Sequence, residues 1–295
     1  MSGGQGERTG ERERFDVWAA GTAYERYMGR WSRAVAERFV TWLGCAEGLR
    51  WLDVGCGTGA LTATVAAHCG PAALLGVDRS AGFAASARGR STAAHAPGTA
   101  SARFAVADAR ALPVPDASCD VVVSGLVLNF LPEPGAALAE AVRVVRPGGT
   151  VATYVWDYAE GMHLLRHFWD AAVALDPAAA ALHEGRRFPL CGPDPLRELW
   201  KGAGLVDVAV GEIEVDTVFP GFAELWEPFL SGQGPAPGYV AALAPSARDR
   251  LRTALGRAVP ARPDGSIALT ARAWAVRGRR PPVGTAGVRL QQELP

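Results

Sequence analysis

The feature that most constrains this chain is a glycine turn between a short apolar strand and a helix. Residues 51–54 (WLDV) are apolar except for Asp53, and glycines occupy every second position over 55–59. An alanine-rich helical segment begins at Ala60, and a second apolar run ends at Asp78. Glycines at this spacing allow a tight turn and a close approach of the backbone to a ligand. The order strand, turn, helix, strand is a βαβ unit and predicts a parallel sheet.

The same alternation continues after Asp78. The continuous β-branched run 119–124 is typical of a strand that is buried on both faces. The remaining pattern predicts helices at 81–90 and 136–145 and strands at 103–107 and 150–156, with residues 146–149 (RPGG) ending the second helix. Five strands with helical crossovers predict a doubly wound α/β sheet. Further along, strands at 206–218 and 267–276 are expected to form an antiparallel pair at the sheet edge.

Composition narrows the class of ligand. Lysine plus arginine and aspartate plus glutamate are equal at 30 each, so the 295-residue chain lacks the basic excess of a nucleic-acid binder. This balance favours a small-molecule substrate over nucleic acid. The five cysteines form no CxxC pair, which predicts free thiols in a reducing cytoplasm and no zinc site. With a polar N-terminus and no apolar run of about 20 residues, we expect a cytoplasmic protein without a membrane anchor.

The glycine pattern alone leaves two cofactors open. With Ala60 as its last small residue, the turn also satisfies the dinucleotide fingerprint, and Asp78 lies where either NAD or S-adenosylmethionine needs a carboxylate for its ribose. Asp53 favours the second cofactor. A carboxylate two residues before the first glycine would repel a pyrophosphate but attract the ammonium and sulfonium charges of S-adenosylmethionine. At ~4 Å and an effective dielectric near 20, the attraction between opposite unit charges is several kcal/mol.

Four segments then occur in an order that resembles a known family. They are LDVGCGTGAL (52–61), GVDRS (76–80), VADARALPVPDASCDVVVSGLVLNFL (106–131) and RVVRPGGTVATYVW (143–156). The set resembles class I S-adenosylmethionine-dependent methyltransferases, most closely the type-11, UbiE-like group, over roughly residues 20–156. The resemblance implies a mostly parallel, seven-stranded, Rossmann-like sheet with an antiparallel edge strand and helical cap insertions. It also implies S-adenosylmethionine as cofactor and S-adenosylhomocysteine as product.

The resemblance also implies domain boundaries. We expect disordered tails at 1–14 and 279–295 and one methyltransferase domain over 15–278. Within that domain, the resemblance implies an N-terminal lid at 15–48, a cofactor-binding core at 49–157, and substrate-cap insertions at about 158–192 and 219–263. The sequence leaves the oligomeric state open.

Cofactor contacts are implied at four places along the chain. They are the glycine turn (Gly55, Cys56, Gly57 and Gly59, with Asp53 before it), the ends of the second and third strands (Asp78 and Arg79; Asp108 and Ala109), the end of the fourth strand (Ser124, Gly125 and Leu126), and the lid (Tyr27, Met28, Arg30 and Trp31). Asp78 would hold the ribose hydroxyls, and Asp108 would accept from the adenine amino group. An ordinary core helix explains the spacing of the lid residues equally well.

The expected reaction is in-line displacement of the sulfonium methyl by a small, hydrophobic or aromatic molecule. His163 and His167 are four residues apart on one helical face and, with Asp157, are candidate general bases; solvated or structural roles are the alternative. Candidate acceptor contacts are Asn129, Trp156, Trp169 and Trp226, for which plain packing is the alternative. Another alternative is a fold relative that keeps the cofactor for a non-methylating reaction such as cyclisation, or acts as a scaffold.

Overall fold

The computed structural model of the chain describes residues 29–93, 101–232 and 234–282. The predicted tail 1–14 lies outside these ranges. The single domain predicted over 15–278 consists of two compact units. Among the described residues, the sheet unit comprises Phe39–Tyr154, Pro193–Gly211 and residues 275–282, and the helical unit comprises residues 29–38, Val155–Gly192 and Glu212–Trp274.

Five parallel strands follow the predicted βαβ order. β1 pairs in parallel with β2 and β4, β2 pairs with β3, and β4 pairs with β5. The strands are β1 (Arg50–Val54), β2 (Ala73–Asp78), β3 (Arg103–Val106), β4 (Cys119–Gly125) and β5 (Val145–Trp156). The helices among them are α1 (Arg30–Leu43), which precedes β1, then α2 (Ala60–His68), α3 (Ala81–Ala93) and α4 (Pro134–Val144). The three central valines of β4 are almost completely buried, as its β-branched run predicts.

The complete sheet has seven strands in the order β3-β2-β1-β4-β5-β7-β6. The last two are β6 (Val206–Phe219) and β7 (Ile267–Arg279), and α7 (Pro193–Gly202) precedes β6. β7 runs antiparallel to β5, because the Gly148 N–H donates to the Arg280 carbonyl while the Asp157 N–H donates to that of Arg272. The α/β class and the mostly parallel sheet with an antiparallel edge are confirmed.

One boundary prediction is wrong. We expected residues 146–149 to end a helix and the next strand to begin at Thr150, but α4 ends at Val144 and β5 begins at Val145. The backbone of this segment is held by a long-range partner, since Gly148 donates to Arg280 and the Arg280 N–H donates back to Gly149. A pairing partner more than 130 residues away therefore overrides the local preference of proline and glycine for a turn.

The start of the predicted C-terminal tail is also corrected. Disorder was expected from residue 279, but β7 includes Arg279, and the Arg280 side chain is fixed in the sheet unit. One guanidinium nitrogen of Arg280 donates to the carbonyls of Val142, Arg143 and Val145 at 3.0, 3.0 and 2.7 Å. These carbonyls lie at the C-terminal end of α4, where a cation also complements the helix dipole.

The helical unit includes residues 158–192 and 219–263, for which we predict substrate-cap insertions. Its helices are α5 (His163–Leu175), α6 (Glu184–Arg187), α8 (Phe222–Trp226), α9 (Pro235–Ala242) and α10 (Pro245–Ala258), with 3-10 turns at Pro177–Ala181 and Glu227–Leu230. An aromatic cluster fills the core of the unit. The Phe168 ring stacks on Phe229 with 4.4 Å between centroids and meets Trp169 edge-on at 5.0 Å.

Replacing Arg280 with alanine tests the corrected C-terminal boundary. Arg280→Ala leaves three carbonyls at the end of α4 without their guanidinium donor. We expect the free energy of unfolding to fall by about 1–3 kcal/mol, measured by urea denaturation. Arg103→Ala, at an exposed arginine of the same unit, is the matched control and should change the free energy of unfolding by less than about 0.5 kcal/mol. Equal effects of the two variants would contradict a role for Arg280 at this helix end.

Candidate functional site

The glycine turn after β1 has a backbone that only glycine adopts easily. Gly55, Gly57 and Gly59 have φ values of 74°, 53° and 89°. A Cβ at Gly55 would lie 2.6 Å from a methyl carbon of Val127, so the loop after β4 packs directly against the turn. A Cβ at Gly57 would meet nothing within 4 Å. Open space is therefore available beside Gly57, at the carboxyl end of the parallel strands.

Most backbone N–H groups of the turn are already used. Gly55 and Cys56 donate to the Val77 carbonyl at 2.7 and 2.9 Å, and Gly59 donates to Cys56 at 2.8 Å. The Gly57 N–H donates to the Asp78 carboxylate at 2.9 Å. A phosphate site at a helix N-terminus depends on N–H groups that point at the anion. These four N–H groups point at protein oxygens instead.

The Asp78 side chain joins the turn to the end of β2. One carboxylate oxygen accepts from Gly57, and the other accepts from the Ser80 N–H at 2.8 Å. Ser80 in turn lies directly before α3, and its hydroxyl accepts from the Phe83 N–H at 3.3 Å. The carboxylate is thus held beside the open space at Gly57. Arg79 follows it directly in the chain.

Asp53, at the end of β1, is a buried carboxylate with one unpaired oxygen. Its side chain is inaccessible to solvent, Oδ2 accepts from the Thr62 hydroxyl at 2.6 Å, and Oδ1 has no hydrogen-bond partner. Burial raises the pKa of Asp53 to about 7, against the opposing hydrogen bond from Thr62 and with a further increase from the charge of Asp78. A cation beside Oδ1 would therefore find a carboxylate without a competing partner.

Two other predicted cofactor residues have local roles that the sequence did not indicate. Cys56 is buried and packs with Ala87 and Phe104, so its side chain faces the core and only its backbone can face a ligand. Asp108 is exposed and forms an ion pair with Arg110 at 2.8 Å. The hydrogen bonds from Arg110 hold the pKa of Asp108 well below its usual range, so the carboxylate is charged at neutral pH. Its contact with adenine, like that of Ala109, stays a prediction.

The end of β4 forms the opposite side of the turn. A Cβ at Gly125 would lie 2.5 Å from the Tyr154 hydroxyl oxygen, so only glycine fits there. Leu126 has a φ of 63°, an uncommon conformation for a residue with a side chain, and its N–H donates to the Tyr154 carbonyl at 2.8 Å. The Ser124 carbonyl accepts from the Thr153 hydroxyl. Strained backbone of this kind is often found at binding sites.

Asn129 lies in the 3-10 turn Leu128–Phe130 that follows. Both polar atoms of its amide, Nδ2 and Oδ1, are buried and have no hydrogen-bond partner. Such groups are rare in folded proteins, and each requires an explanation.

The predicted catalytic residues lie in the helical unit, and their surroundings differ. The Asp157 carboxylate is buried in an ion pair with Arg272 at 2.7 Å, and its other oxygen accepts from the Glu160 N–H. Because both oxygens are engaged, this geometry argues against Asp157 as a general base. His163 is exposed and bonds to the Thr270 hydroxyl at 3.1 Å. His167 is half-buried, and its pKa is lowered by burial and by the neighbouring His163.

The predicted tryptophan contacts and the lid are mostly explained by packing. Trp156, Trp169 and Trp226 are nearly inaccessible to solvent, and the Trp226 ring lies 5.8 Å from Phe229. Trp31 is also buried, with its ring 5.6 Å from Phe219. Their ligand contacts stay predictions, as does that of Arg30, the first residue of α1. The lid residues Tyr27 and Met28 lie outside the described residues.

Trp169 nevertheless borders a cavity of about 360 Å³ in the helical unit. Its lining is mainly apolar: Trp169, Val173, Ala174 and Ala180, together with Asp170, His183 and Arg186. The His183 ring is stacked on Trp169 with 6.1 Å between centroids. A cavity of this size and composition is within the range of small-molecule sites.

Sequence reasoning missed the partners of the predicted residues. Thr62 donates to Asp53 from a helix nine residues later, and no local pattern marks it. Arg272 is 115 residues from Asp157 and is equally invisible in the sequence. Ser80 could have been found, because a serine two residues after an aspartate is a frequent turn and helix-start pattern.

The described residues include neither a membrane-spanning helix nor a metal-binding cluster. None of the described helices has the length and apolar composition needed to cross a bilayer. Within the same ranges, no group of three or more His, Cys, Asp or Glu side chains is placed to hold a metal ion.

A doubly wound sheet with a glycine turn after β1 and carboxylates at the ends of β1 and β2 is typical of α/β proteins that bind a nucleoside at the carboxyl edge of the sheet. Residues 52–153 match a family model described as a methyltransferase domain. Over this segment the chain is similar to class I S-adenosylmethionine-dependent methyltransferases of the type-11 group.

Individual relatives agree with this assignment over part of their length. The chain is 38% identical over 133 residues to a malonyl-[acyl-carrier protein] O-methyltransferase of Hahella chejuensis, covering 44% of each chain. It is 34% identical over 121 residues to the ubiquinone/menaquinone biosynthesis C-methyltransferase UbiE of Geobacter sulfurreducens, covering 41% of this chain and 45% of the relative. The chain thus spans about half the length of the curated relatives it matches.

A solved structure supports the fold. The crystal structure of a putative methyltransferase from Bacillus halodurans superposes with a TM-score of 0.54 at 13% identity, covering 83% of this chain and 98% of that one. At this level of identity the likeness concerns the fold alone.

The titration of Asp53 gives a testable effect on stability. Its folded-state pKa is raised from the usual 3.8 to about 7, so the native state binds more protons than the unfolded state between these values. The contribution of Asp53 to the free energy of unfolding therefore falls as pH rises through this window. We expect Asp53→Asn to gain stability relative to the unmodified protein between pH 5 and pH 8, measured by urea denaturation. A difference that stays constant with pH would contradict the raised pKa.

Proposed function

We propose that the chain binds S-adenosylmethionine and transfers its methyl group to a small hydrophobic or aromatic molecule by in-line displacement. The observation that carries the proposal is the unpaired, buried oxygen of Asp53 next to a glycine turn whose N–H groups are already engaged. Such a site favours a cation and offers little to a pyrophosphate. This polarity supports S-adenosylmethionine over NAD, the other cofactor that the glycine pattern allows.

The residues of the sheet unit fit the cofactor. Asp53 would take the ammonium end, and Asp78 keeps free lone pairs for ribose hydroxyls after accepting one N–H on each oxygen. The open space at Gly57 allows close approach to the backbone. Gly55, Gly59 and the backbone of Cys56 complete the turn. We assign the remaining contacts as the family resemblance implies, to Arg79, Asp108, Ala109, Ser124, Gly125, Leu126 and the lid residues Tyr27, Met28, Arg30 and Trp31.

When bound, S-adenosylmethionine supplies a methyl group on a sulfonium, which is already an activated leaving group. The chain's main task is then to hold a nucleophile in line with that methyl, and alignment of this kind contributes about 7–11 kcal/mol in favourable cases. A general base is needed only for an acceptor that is poorly ionised. We assign that role to His167, because its lowered pKa leaves a neutral imidazole at neutral pH. A pH–rate profile unchanged by His167→Asn would rule it out.

Four of the seven residues that line the Trp169 cavity are aromatic or apolar, which supports an acceptor that is hydrophobic or aromatic. We retain Trp169 as an acceptor contact on this basis. Trp156 and Trp226 pack within the same unit, and no separate observation supports a ligand contact for either residue.

Binding of the cofactor should depend on pH through Asp53. Between pH 6 and 7.5, affinity for S-adenosylmethionine should rise as the carboxyl ionises, since the α-amino group of the ligand stays protonated below its usual pKa of about 8. Asp53→Asn should weaken binding at pH 7.5 by about tenfold or more, in line with the loss of a charge-assisted contact. Isothermal titration calorimetry measures both effects.

Two threonines of α2 provide a matched pair of variants. Thr62→Val removes the hydroxyl that donates to Asp53 and should move the midpoint of the binding profile to higher pH. Thr64→Val removes a hydroxyl that bonds to the Ala60 carbonyl and should leave the midpoint unchanged. Equal shifts of the midpoint in the two variants would count against the assignment of Asp53. No binding of S-adenosylmethionine or S-adenosylhomocysteine by the unmodified chain would count against the proposed function itself.

Methyl-labelled S-adenosylmethionine tests the transfer step. We expect label to appear on small aromatic or hydroxyl-bearing acceptors incubated with the chain, and Asp53→Asn to reduce the rate. Cofactor binding without label transfer to any acceptor would instead favour a non-methylating fold relative or a scaffold.

A further inference from the structure

Asn129 lies beside the proposed cofactor site. β1 and β4 are neighbouring parallel strands, and Asp53 is in register with Val123. The chain beyond β4 packs on the glycine turn through Val127, and Asn129 follows in the next 3-10 turn. The unpaired carboxylate oxygen of Asp53 is thus at the end of β1, and the unpaired amide of Asn129 follows the end of the adjacent β4. Both ends lie at the same edge of the sheet.

The local backbone does not need the Asn129 side chain. The turn is closed by its own hydrogen bonds, from the Phe130 N–H to Val127 at 2.8 Å and from the Leu131 N–H to Leu128 at 3.3 Å. Asparagine in a turn usually bonds to a nearby backbone group. Here neither amide atom has a hydrogen-bond partner. Asn129 is also the only asparagine of the 295 residues.

A buried donor and a buried acceptor that are both unpaired destabilise the fold, whereas an apolar side chain of the same shape would not. A ligand that supplies both an acceptor and a donor removes this cost. A hydroxyl or a primary amide does so. A carboxylate would satisfy Nδ2 but oppose Oδ1, and a buried charge without a counter-charge is costly. A methyl group satisfies neither atom.

We infer that Asn129 determines the specificity of methyl transfer by binding a neutral hydroxyl or amide group of the acceptor in preference to a carboxylate. This inference rests on the proposed function and narrows its acceptor class. The amide does not take the proton from the acceptor; it orients the group, so Asn129 is a positioning residue.

Because the chain has a single asparagine, selective labelling isolates its side chain. Full-length protein labelled with 15N-asparagine gives one side-chain NH2 resonance pair, which is observed before and after addition of S-adenosylhomocysteine. Four probes are then added separately: benzyl alcohol, benzamide, benzoate and toluene. We expect benzyl alcohol and benzamide to move the resonance pair downfield, as a new hydrogen bond does, and benzoate and toluene to leave it in place.

Two variants keep the inference falsifiable. In the unmodified protein, benzyl alcohol should bind about tenfold more tightly than toluene, equivalent to about 1.4 kcal/mol. In Asn129→Leu this ratio should approach one, affinity for S-adenosylhomocysteine should be unchanged, and the free energy of unfolding should be unchanged or higher. In Asn129→Asp, a carboxylate of nearly the same shape, benzoate should bind more weakly still than in the unmodified protein.

Several outcomes would overturn the inference. A downfield shift with S-adenosylhomocysteine alone would make Asn129 a cofactor ligand, and a loss of stability in Asn129→Leu would make the amide structural. The assignment would also be excluded if none of the four probes moved the resonance pair, or if benzoate moved it as far as benzyl alcohol does. If S-adenosylhomocysteine itself fails to bind, the proposed function fails, which the calorimetric titration identifies separately.

Discussion

At the end of β1 a carboxylate lies out of contact with water and shares a hydrogen bond with Thr62, on the helix that follows the glycine turn. Burying a charge with incomplete partners opposes folding, and the raised pKa of Asp53 expresses that cost. The surrounding fold must supply enough stability elsewhere to keep the group in place. In the sheet unit this comes from parallel strands whose central valines are buried and from arginines that hold helix ends.

Several unfavourable features of the sheet unit lie at its carboxyl edge. Three glycines and Leu126 have positive φ, Gly125 leaves room for the Tyr154 hydroxyl, and two side chains carry buried polar atoms without partners. Strain and unsatisfied groups at a common edge are characteristic of ligand sites, because a stable fold tolerates them only where a function requires them. At the opposite end of the sheet, the Asp120 carboxylate has a resident cation, since Arg50 forms a bidentate pair with it.

Local patterns were sufficient for the parts of the chain that depend on local chemistry. The glycine turn, the buried valine run and the alternation of strands and helices placed β1 to β4 within one or two residues of their bounds. They failed where a distant segment decides the structure. Residues 146–149 have turn chemistry but form part of a strand because β7 pairs with them, and Arg280 is ordered because it bonds to the end of α4. Neither contact has a local signal.

The same distinction applies to the site. Asp53 and Asp78 could be predicted because their spacing from the glycines fixes their position at strand ends, and each does lie there. What a side chain does at its position depends on neighbours from other segments. Asp157 directly follows β5 and forms an ion pair with Arg272 of β7, whereas Asp53 accepts from the Thr62 hydroxyl and has no resident cation among the described residues. A buried carboxylate with a resident cation serves the fold, and a buried carboxylate without one can accept a cationic ligand. The ionic partner of a buried aspartate therefore distinguishes a structural role from a binding role. Residue type and sequence spacing alone do not make this distinction.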